Sequence, residues 1–392
     1  MKITDVKCIL LSAPYATAGD DERELHLKTG LRSASLIKVE TDADLYGLGE
    51  VYSGVYAPEA VAALTAQLAD AVVGCDPSEI LPLWDRMRLA SYYWGRMGLS
   101  QSVIGGIEMA LWDLRGKQLG LPVHELLGGK AHEAIAAYAS GGNNKPADEL
   151  RAEMQGYVKA GFSAVKIRIN NLPNIEAIVQ KVALCREALG SEIGLAVDAA
   201  QGLAKNPWTV KQAIETAIAI DPYHILWLEE PAEVTHYAGF AEIRRNVSMP
   251  VAGGETVTSI VEAESYLQAD SLDIFQPDAS IMGGIHLLRR VAEMCQRRQI
   301  PIAVHAWSSG VGIMGNYHAA FASPNCIILE LPTVLNPLRE ELILEPLSLV
   351  DGKVRAPSKP GLGVSLPEDL EEKFAYRPGS YYQILGAYNE RG

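Results

Sequence analysis

The hydrophobic pattern changes about a third of the way along the chain. In residues 1–60, short apolar runs alternate with polar ones, as in "LIKVETD" followed by "LYGLGE", and this predicts antiparallel strands joined by turns. In residues 57–127, apolar positions recur every three or four residues, as in "GIEMALWDLRGKQLG", which predicts helices. We therefore predict an α+β domain over residues 1–127.

From about residue 134, short apolar runs alternate with longer amphipathic stretches. Eight runs end at residues 140, 169, 198, 230, 255, 278, 305 and 330, at intervals of 23 to 32 residues. Such regular strand-helix units are typical of a closed (β/α)8 barrel, whereas an open doubly wound sheet usually has fewer strands. The runs show little alternation, as expected for strands buried on both faces. This predicts a TIM barrel over residues 128–343.

The last part of the chain, residues 344–392, includes "LVDGKVRAPSKPGLGV", which is rich in Gly and Pro. We expect this segment to pack back on the first domain. The predicted fold class is therefore α/β: a (β/α)8-type barrel with an N-terminal α+β capping domain that the C-terminal segment completes.

Acidic residues stand at the predicted ends of three successive barrel strands. Asp198 ends strand three, Glu229 ends strand four within "LWLEEP", and Glu255 ends strand five. The C-terminal ends of barrel strands converge on one face, where active sites are built. Clustered acids repel one another, so either Lys and Arg partners or a cation must neutralise them. With oxygen ligands alone, Mg²⁺ or Mn²⁺ is favoured over zinc.

The other strand ends offer acid-base chemistry. Lys166 and Arg168 share the inward face of strand two, because alternate residues of a strand point the same way. Asp278 and His305 end the adjacent strands six and seven, and an Asp beside a His fixes its tautomer and raises its basicity. Strand eight adds Glu330. A His base beside a cation that binds the substrate carboxylate predicts removal of the α-proton, because the cation stabilises the enediolate that results. A Lys or His base combined with Mg²⁺ is also the known pattern of the enolase superfamily.

Taken in order, these motifs resemble the enolase superfamily, and within it the mandelate-racemase branch of the mandelate racemase/muconate lactonizing enzyme family. The resemblance covers essentially the whole chain. It includes "GIEMALWDLRGKQLGLPVHELLGG" (106–129), the K-x-R of strand two, the acids of "AVD", "WLEEP" and "GGE", and the late "DGKVRAPSKPGLGV". It implies three metal ligands, a His-Asp dyad and an acid that hydrogen-bonds the substrate carboxylate: Asp198, Glu229 and Glu255; His305 and Asp278; and Glu330.

Two departures from the family pattern matter. Many members have a second Lys on strand two that acts as a base, whereas this chain has Arg168. A guanidinium with a pKa above about 12 is a poor base, so racemisation by two opposed bases is disfavoured, although Lys166 could still serve. In "DAAQ" (198–201), Ala200 replaces the Asn that relatives often have, which removes a polar contact near the metal.

The leading functional hypothesis is dehydration of a sugar acid, an aldonate or aldarate, to a 2-keto-3-deoxy acid. His305 would take the α-proton, and the β-hydroxyl would leave with a proton from His305 or Lys166. The alternatives are a cycloisomerase that opens an anhydro-sugar acid or aldarolactone, and a racemase or epimerase of an α-substituted acid. A non-catalytic binding protein is disfavoured, because no metal acid and no base is missing. Substrate choice is expected to depend on a loop at residues 15–30, and the candidate pocket-wall residues are Tyr15, Ser140, Asn143 and Trp307.

The composition of the chain disfavours some classes of binding partner. The net charge of −14 argues against a nucleic-acid or anionic-membrane surface, and no apolar run reaches the roughly 18 residues of a membrane span. The five cysteines have no disulfide or zinc spacing. We expect a cytoplasmic homo-oligomer that acts on a small-molecule carboxylate.

Overall fold

The computed structural model describes residues 1–15, 30–170 and 172–381. Within these ranges, the first part of the chain forms a three-stranded antiparallel sheet whose strands are neighbours in chain order, packed against helices. The prediction of an α+β domain is thereby confirmed. Its elements are β1 (Ile3–Pro14), β2 (Leu31–Thr41), β3 (Tyr46–Glu50), α1 (Pro58–Ala69), α2 (Ile80–Ala90), α3 (Leu99–Leu119) and α4 (Val123–Leu126).

Two glycines of "LYGLGE" allow β3 to pack directly on α3. A Cβ at Gly47 would lie 1.9 Å from the carbonyl oxygen of Ala110, and a Cβ at Gly49 would lie 1.9 Å from that of Gly106. Both distances are far inside van der Waals contact, so only glycine fits at either position.

The second part of the chain forms a closed barrel of parallel strands. Strands β4 to β9 pair in chain order, and β10 pairs with β4 to close the ring. The strands are β4 (Ala134–Ser140), β5 (Ala164–Arg168), β6 (Gly194–Asp198), β7 (Ile225–Glu229), β8 (Val251–Gly253), β9 (Ile274–Phe275) and β10 (Leu329–Pro332). The helices are α5 (Ala147–Lys159), α6 (Ile175–Leu189), α7 (Val210–Ile220), α8 (Tyr237–Asn246), α9 (Ile260–Gln268), α10 (Ile285–Arg297), α11 (Gly310–Phe321) and α12 (Pro337–Leu342).

The barrel interior shows that eight segments surround one axis. A buried cluster takes one side chain from each predicted strand, and small alanines leave room for two large aromatic rings: Tyr138, Ala164, Ala196, Trp227, Ala252, Ile274, Ala303 and Ile328. The Tyr138 and Trp227 rings meet edge to face with centroids 5.2 Å apart. The interior is therefore a packed core rather than a pore.

Six of the eight predicted strand ends differ from the structure: strands two and four end one residue earlier, at Arg168 and Glu229, and strand five ends at Gly253, two residues before Glu255. The last three segments differ as follows. The seventh segment is not a regular strand, because only Ile302 forms bridges, to Phe275 and Cys326. Strand β9 ends at Phe275, so Asp278 lies three residues beyond it. A proline interrupts each segment, at 277 and at 301, and a proline has no N–H to donate to a ladder. Glu330 lies inside β10 rather than at its end.

The remaining elements are β11 (Leu349–Val350), β12 (Lys353–Arg355) and α13 (Leu370–Lys373). Strand β12 pairs antiparallel with the start of β4. Further on, Ala375 bridges to Leu11, and the Oγ atoms of Ser380 and Ser12 lie 2.5 Å apart. The C-terminal segment therefore contacts both parts of the chain. The unit boundaries at 127/128 and 343/344 stay a prediction.

Two buried glutamates of the first domain complete the N-termini of barrel helices. Glu50 accepts the backbone N–H groups of Ser309 and Gly312 at the start of α11, at 2.9 and 2.8 Å. Glu108 accepts those of Ile285 and His286 at the start of α10, at 2.8 and 3.0 Å. Each carboxylate satisfies amides that have no partner within their own helix and faces the positive end of its dipole.

No helix in the described part of the chain combines the length and apolar character that crossing a membrane requires.

Candidate active site

The strand register brings the predicted site residues together. Arg168, Asp198 and Glu229 are directly opposite one another at the ends of β5, β6 and β7. Glu255 follows the end of β8 by two residues. The side chains of these four residues therefore arise from the same rim of the barrel, as the sequence predicts.

Lys166 lies at the centre of the acids. Its ammonium nitrogen is 2.5 Å from Glu229 Oε1, 3.1 Å from Glu330 Oε1 and 3.8 Å from Asp198 Oδ2. The side chain is fully buried. Burial by itself would lower the pKa of Lys166, but the charges of Glu229 and Glu330 outweigh it and hold the pKa well above its ordinary value. Lys166 therefore carries its proton in this arrangement.

The carboxylates respond to burial and to one another. Burial raises the pKa values of Asp198 and Glu229, against the opposing charge of Lys166, and partial burial raises that of Glu255. Glu330 behaves differently. Burial would raise its pKa, but the charges of Lys166 and His305 lower it to about 2. The site thus holds more negative charge than Lys166 and Arg168 neutralise.

His305 and Asp278 form the predicted pair. His305 Nδ1 lies 2.7 Å from Asp278 Oδ2, while Nε2 faces the acids and is 3.9 Å from Glu255 Oε2. Because Asp278 accepts from Nδ1, Nε2 is the nitrogen left to exchange a proton. Burial would lower the pKa of His305, but the charge of Glu255 and the hydrogen bond to Asp278 raise it to about 9. The Tyr52 and His305 rings are nearly perpendicular, with centroids 5.5 Å apart.

Arg168 is held from three sides. Its Nε lies 3.4 Å from Asp198 Oδ2, its Nη1 donates to Asn143 Oδ1 at 3.2 Å, and its guanidinium lies 4.3 Å from the ring centroid of Trp307. The guanidinium lies over the face of the Trp307 ring, and a Lys could not reproduce this contact together with both polar contacts.

The four candidate pocket-wall residues lie around this centre. Ser140 donates to Glu330 at 2.7 Å, and Asn143 and Trp307 contact Arg168. Tyr15 is one step further away, since its ring lies 4.6 Å from the Arg32 guanidinium, which donates to the Trp307 carbonyl oxygen at 2.5 Å. Most of the loop predicted to control substrate choice, residues 16–29, lies outside the described residues.

Sequence reasoning missed three contributors. Gln276 Nε2 donates to Glu229 Oε2 at 2.6 Å, and its position two residues before Asp278 was the available signal. Arg32 reaches the site from β2, where no motif marks it. Glu230 is buried with φ +43°, and its Oε1 has no hydrogen-bond partner among the described residues. Burial and the charge of Glu255 raise its pKa well above the ordinary value. A positive φ at a non-glycine residue is strained and is common beside active sites.

The donor set suits a hard divalent cation in kind and in charge, because it consists of carboxylate oxygens with excess negative charge. The described residues nevertheless contain no group of three His, Cys, Asp or Glu side chains placed closely enough to hold a metal ion. Glu229 faces Lys166, and Glu255 faces His305. Asp198, Glu229 and Glu255 would therefore have to turn towards one another to hold an ion together.

Comparison with known proteins follows the two parts of the fold. Residues 27–128 match the family described as "Mandelate racemase / muconate lactonizing enzyme, N-terminal domain", and residues 149–370 match "Enolase C-terminal domain-like". The D-galactarolactone cycloisomerase of Agrobacterium fabrum is 31% identical over 95% of this chain and 99% of its own length. The D-galactonate dehydratase of Ralstonia pickettii is 32% identical over 85% and 89%.

A solved structure extends the comparison. L-Talarate dehydratase from Polaromonas sp. JS666, in complex with Mg and L-glucarate, superposes with a TM-score of 0.82 at 27% identity and covers 96% of this chain and 98% of its own. Magnesium is thus bound within the family. The barrel, the capping domain, both family matches and these full-length relatives agree, and the chain belongs to the mandelate racemase/muconate lactonizing enzyme family of the enolase superfamily.

Proposed function

We propose that this protein removes the proton α to the carboxylate of a sugar acid and eliminates the β-hydroxyl, which yields a 2-keto-3-deoxy acid. The observation that carries the proposal is the pairing of His305 with Asp278 at the barrel mouth. His305 Nδ1 is held by Asp278 at 2.7 Å, so that Nε2 faces the acids of the barrel mouth. The related dehydratases and cycloisomerase act on sugar acids or their lactones by name, which supports the same class here.

We assign the metal to Asp198, Glu229 and Glu255, with Mg²⁺ as the expected ion and Mn²⁺ as a substitute of similar preference for oxygen. When bound, such an ion supplies positive charge that stabilises the enediolate and offsets the acids that raise the pKa of His305.

The protein's own groups divide the proton transfers. His305 Nε2 accepts the α-proton while Asp278 holds the ring. Lys166 carries a proton in this arrangement, so it has a proton for the leaving hydroxyl rather than a free amine for a second base. It would release that proton only once a cation on Glu229 relieved the negative charge that holds its pKa high. Arg168 stays cationic and fits an electrostatic role. Glu330, with a pKa of about 2, is an acceptor in this arrangement and would need to gain a proton before it could donate to a substrate carboxylate.

A cycloisomerase is the second candidate, because the Agrobacterium relative carries that activity in its name. The same base and acid would serve, with a ring oxygen as the leaving group. A racemase is less well supported, since Lys166 holds its proton and Arg168 is a poor base.

We further propose that the enzyme works in the cytoplasm as a homo-oligomer on a small-molecule carboxylate, without nucleic acid or membrane as partner. The five cysteines, all of which lie in the described ranges, are free thiols, as is usual for a reducing compartment.

The test is a Mg²⁺-dependent screen of aldonates, aldarates and their lactones in D₂O, read by 2-keto acid formation and by exchange of the α-proton. Keto product from one acid, abolished in His305→Asn and retained in the exposed control His236→Asn, supports the dehydratase. Ring opening without loss of water supports the cycloisomerase. Exchange or inversion without keto product refutes elimination and makes Lys166 a second base.

A further inference from the structure

The Asp278 carboxylate is held as firmly on the side away from His305 as on the side facing it. Oδ1 accepts three hydrogen bonds: from the Ser280 N–H at 2.7 Å, the Ser280 hydroxyl at 2.6 Å and the Asn316 side-chain amide at 2.8 Å. This leaves Oδ2 to His305. The carboxylate cannot rotate without losing several bonds, so its orientation sets the tilt of the imidazole.

Asn316 has one orientation available. Its Oδ1 accepts the backbone N–H of Ala279 at 2.7 Å, so the NH₂ group must be the end that faces Asp278. The residue is completely buried in the middle of α11. Of the three donors to Oδ1, it is the one that comes from a different element of the fold.

Helix α11 is in turn fixed by the capping domain. Glu50, at the end of β3, accepts the N–H and the hydroxyl of Ser309 at 2.9 and 2.6 Å and the N–H of Gly312 at 2.8 Å. Glu50 is buried, and burial raises its pKa against the opposing effect of these bonds. A path of short hydrogen bonds and one helix therefore runs from the capping domain to the base.

We infer that Asn316 is a positioning residue of the His305–Asp278 pair and that Glu50, through α11, ties the position of Asn316 to the capping domain. The inference rests on the proposed function, in which His305 is the base. Without the Asn316 amide, Asp278 is free to turn, and His305 Nε2 spends less time directed at the α-carbon. The chemical step slows while substrate binding changes little.

The kinetic test uses Asn316→Asp, which keeps the shape but replaces the amide donor with a second carboxyl group beside Asp278, and Asn316→Ser, which withdraws the donor by shortening the side chain and adds no charge. The matched control is His318→Gln: His318 is equally buried on the same helix but contacts His124 instead of the dyad. Hydrogen bonds to charged groups predict a loss in kcat of roughly 10- to 100-fold for Asn316→Asp, with KM within about twofold. The primary isotope effect with α-deuterated substrate should rise, because proton removal becomes rate-limiting. Glu50→Gln should change kcat in the same direction by less.

A second readout needs no substrate. The proton between His305 Nδ1 and Asp278 should give a downfield ¹H NMR resonance, which His305→Asn removes and thereby assigns. Asn316→Asp should shift or broaden it, and His318→Gln should leave it in place. An unchanged resonance and unchanged kcat in folded Asn316→Asp would overturn the inference while leaving His305 as the base. Loss of kcat with an unchanged isotope effect and resonance would also overturn it. If His305→Asn itself were fully active, the proposed function would fail instead.

Discussion

A buried histidine pair between the capping domain and the barrel should make the protein sensitive to acid. His124 on α4 and His318 on α11 stack with ring centroids 5.2 Å apart. His318 Nδ1 accepts the backbone N–H of His124 at 3.1 Å, so this nitrogen must be unprotonated. Burial, together with the neighbouring His124, lowers the pKa of His318 from 6.5 to about 3. Burial also lowers the pKa of His124.

The direction and size of the stability change with pH follow from the linkage between proton binding and folding. Because the folded pKa of His318 is depressed, the unfolded chain takes up the proton first, and stability present above pH 6.5 is lost as the pH falls towards 3. A pH of 5 lies about 1.5 units below the unfolded pKa of His318, and each unit is worth about 1.4 kcal/mol. Protonation of the unfolded chain therefore costs the folded protein about 2 kcal/mol of stability at pH 5 relative to neutral pH. His124 adds to the loss in the same direction.

The assay compares urea unfolding of the wild type and His318→Gln from pH 7.5 to 4.5, with the exposed His236→Gln as control. His318→Gln should be less stable by about 1 kcal/mol at neutral pH, because a buried hydrogen bond is lost. Its curve should then fall less steeply, by about 2 kcal/mol between pH 7 and 5. Taking the difference between the two curves removes the other titrating groups. Parallel curves would refute the reasoning, since His318 would then titrate alike in both states.

Three further predictions concern packing, the strand-two cation and the metal. Gly49→Ala should destabilise the fold by about 1–3 kcal/mol or more in thermal unfolding, since its Cβ would lie 1.9 Å from the Gly106 carbonyl oxygen. The control Gly156→Ala in α5, where a Cβ meets nothing within 4 Å, should instead stabilise it by about 0.5–1 kcal/mol. Equal effects would contradict the packing argument. Arg168→Lys should lower the dehydration rate by roughly 10-fold or more, because the contacts with Asn143 and Trp307 are lost. The ratio of α-proton exchange to product should rise, because the new amine is a possible base. A wild-type dehydration rate in this variant would show that the guanidinium is dispensable. Mg²⁺ at about 100 times its dissociation constant should stabilise the wild type by about 2.7 kcal/mol in calorimetry and Asp198→Asn much less, and an equal gain in both would exclude Asp198 as a ligand.

The barrel could be predicted from the sequence because its signals are local and periodic. Each strand is a short apolar run, and each acid stands where such a run ends, so Asp198 and Glu229 needed only the rule that strand ends converge. The same logic succeeded for Lys166 and Arg168, since alternation in a strand determines which side chains share a face.

The rest required tertiary information. The seventh segment has the composition of a strand, but only Ile302 forms bridges to its neighbours. Pro301, which has no N–H to donate, explains only part of this irregular pairing from the sequence. Arg32 and Glu50 act across the interface between the domains, about 250 residues or more from the groups they contact, and no local pattern reports such a distance. Glu230 is buried with a left-handed backbone conformation, and nothing in the local sequence pattern marks either property.

The two helix-capping glutamates have a consequence for how such proteins can be recombined. The amides that start α10 and α11 find their partners in Glu108 and Glu50, which belong to the other domain. A barrel expressed alone would leave these amides without their partners and expose the surface around them. A chimaera with a foreign capping domain would succeed only if that domain brought acids to the same two points. The capping domain and the barrel therefore depend on each other structurally, although they differ in architecture.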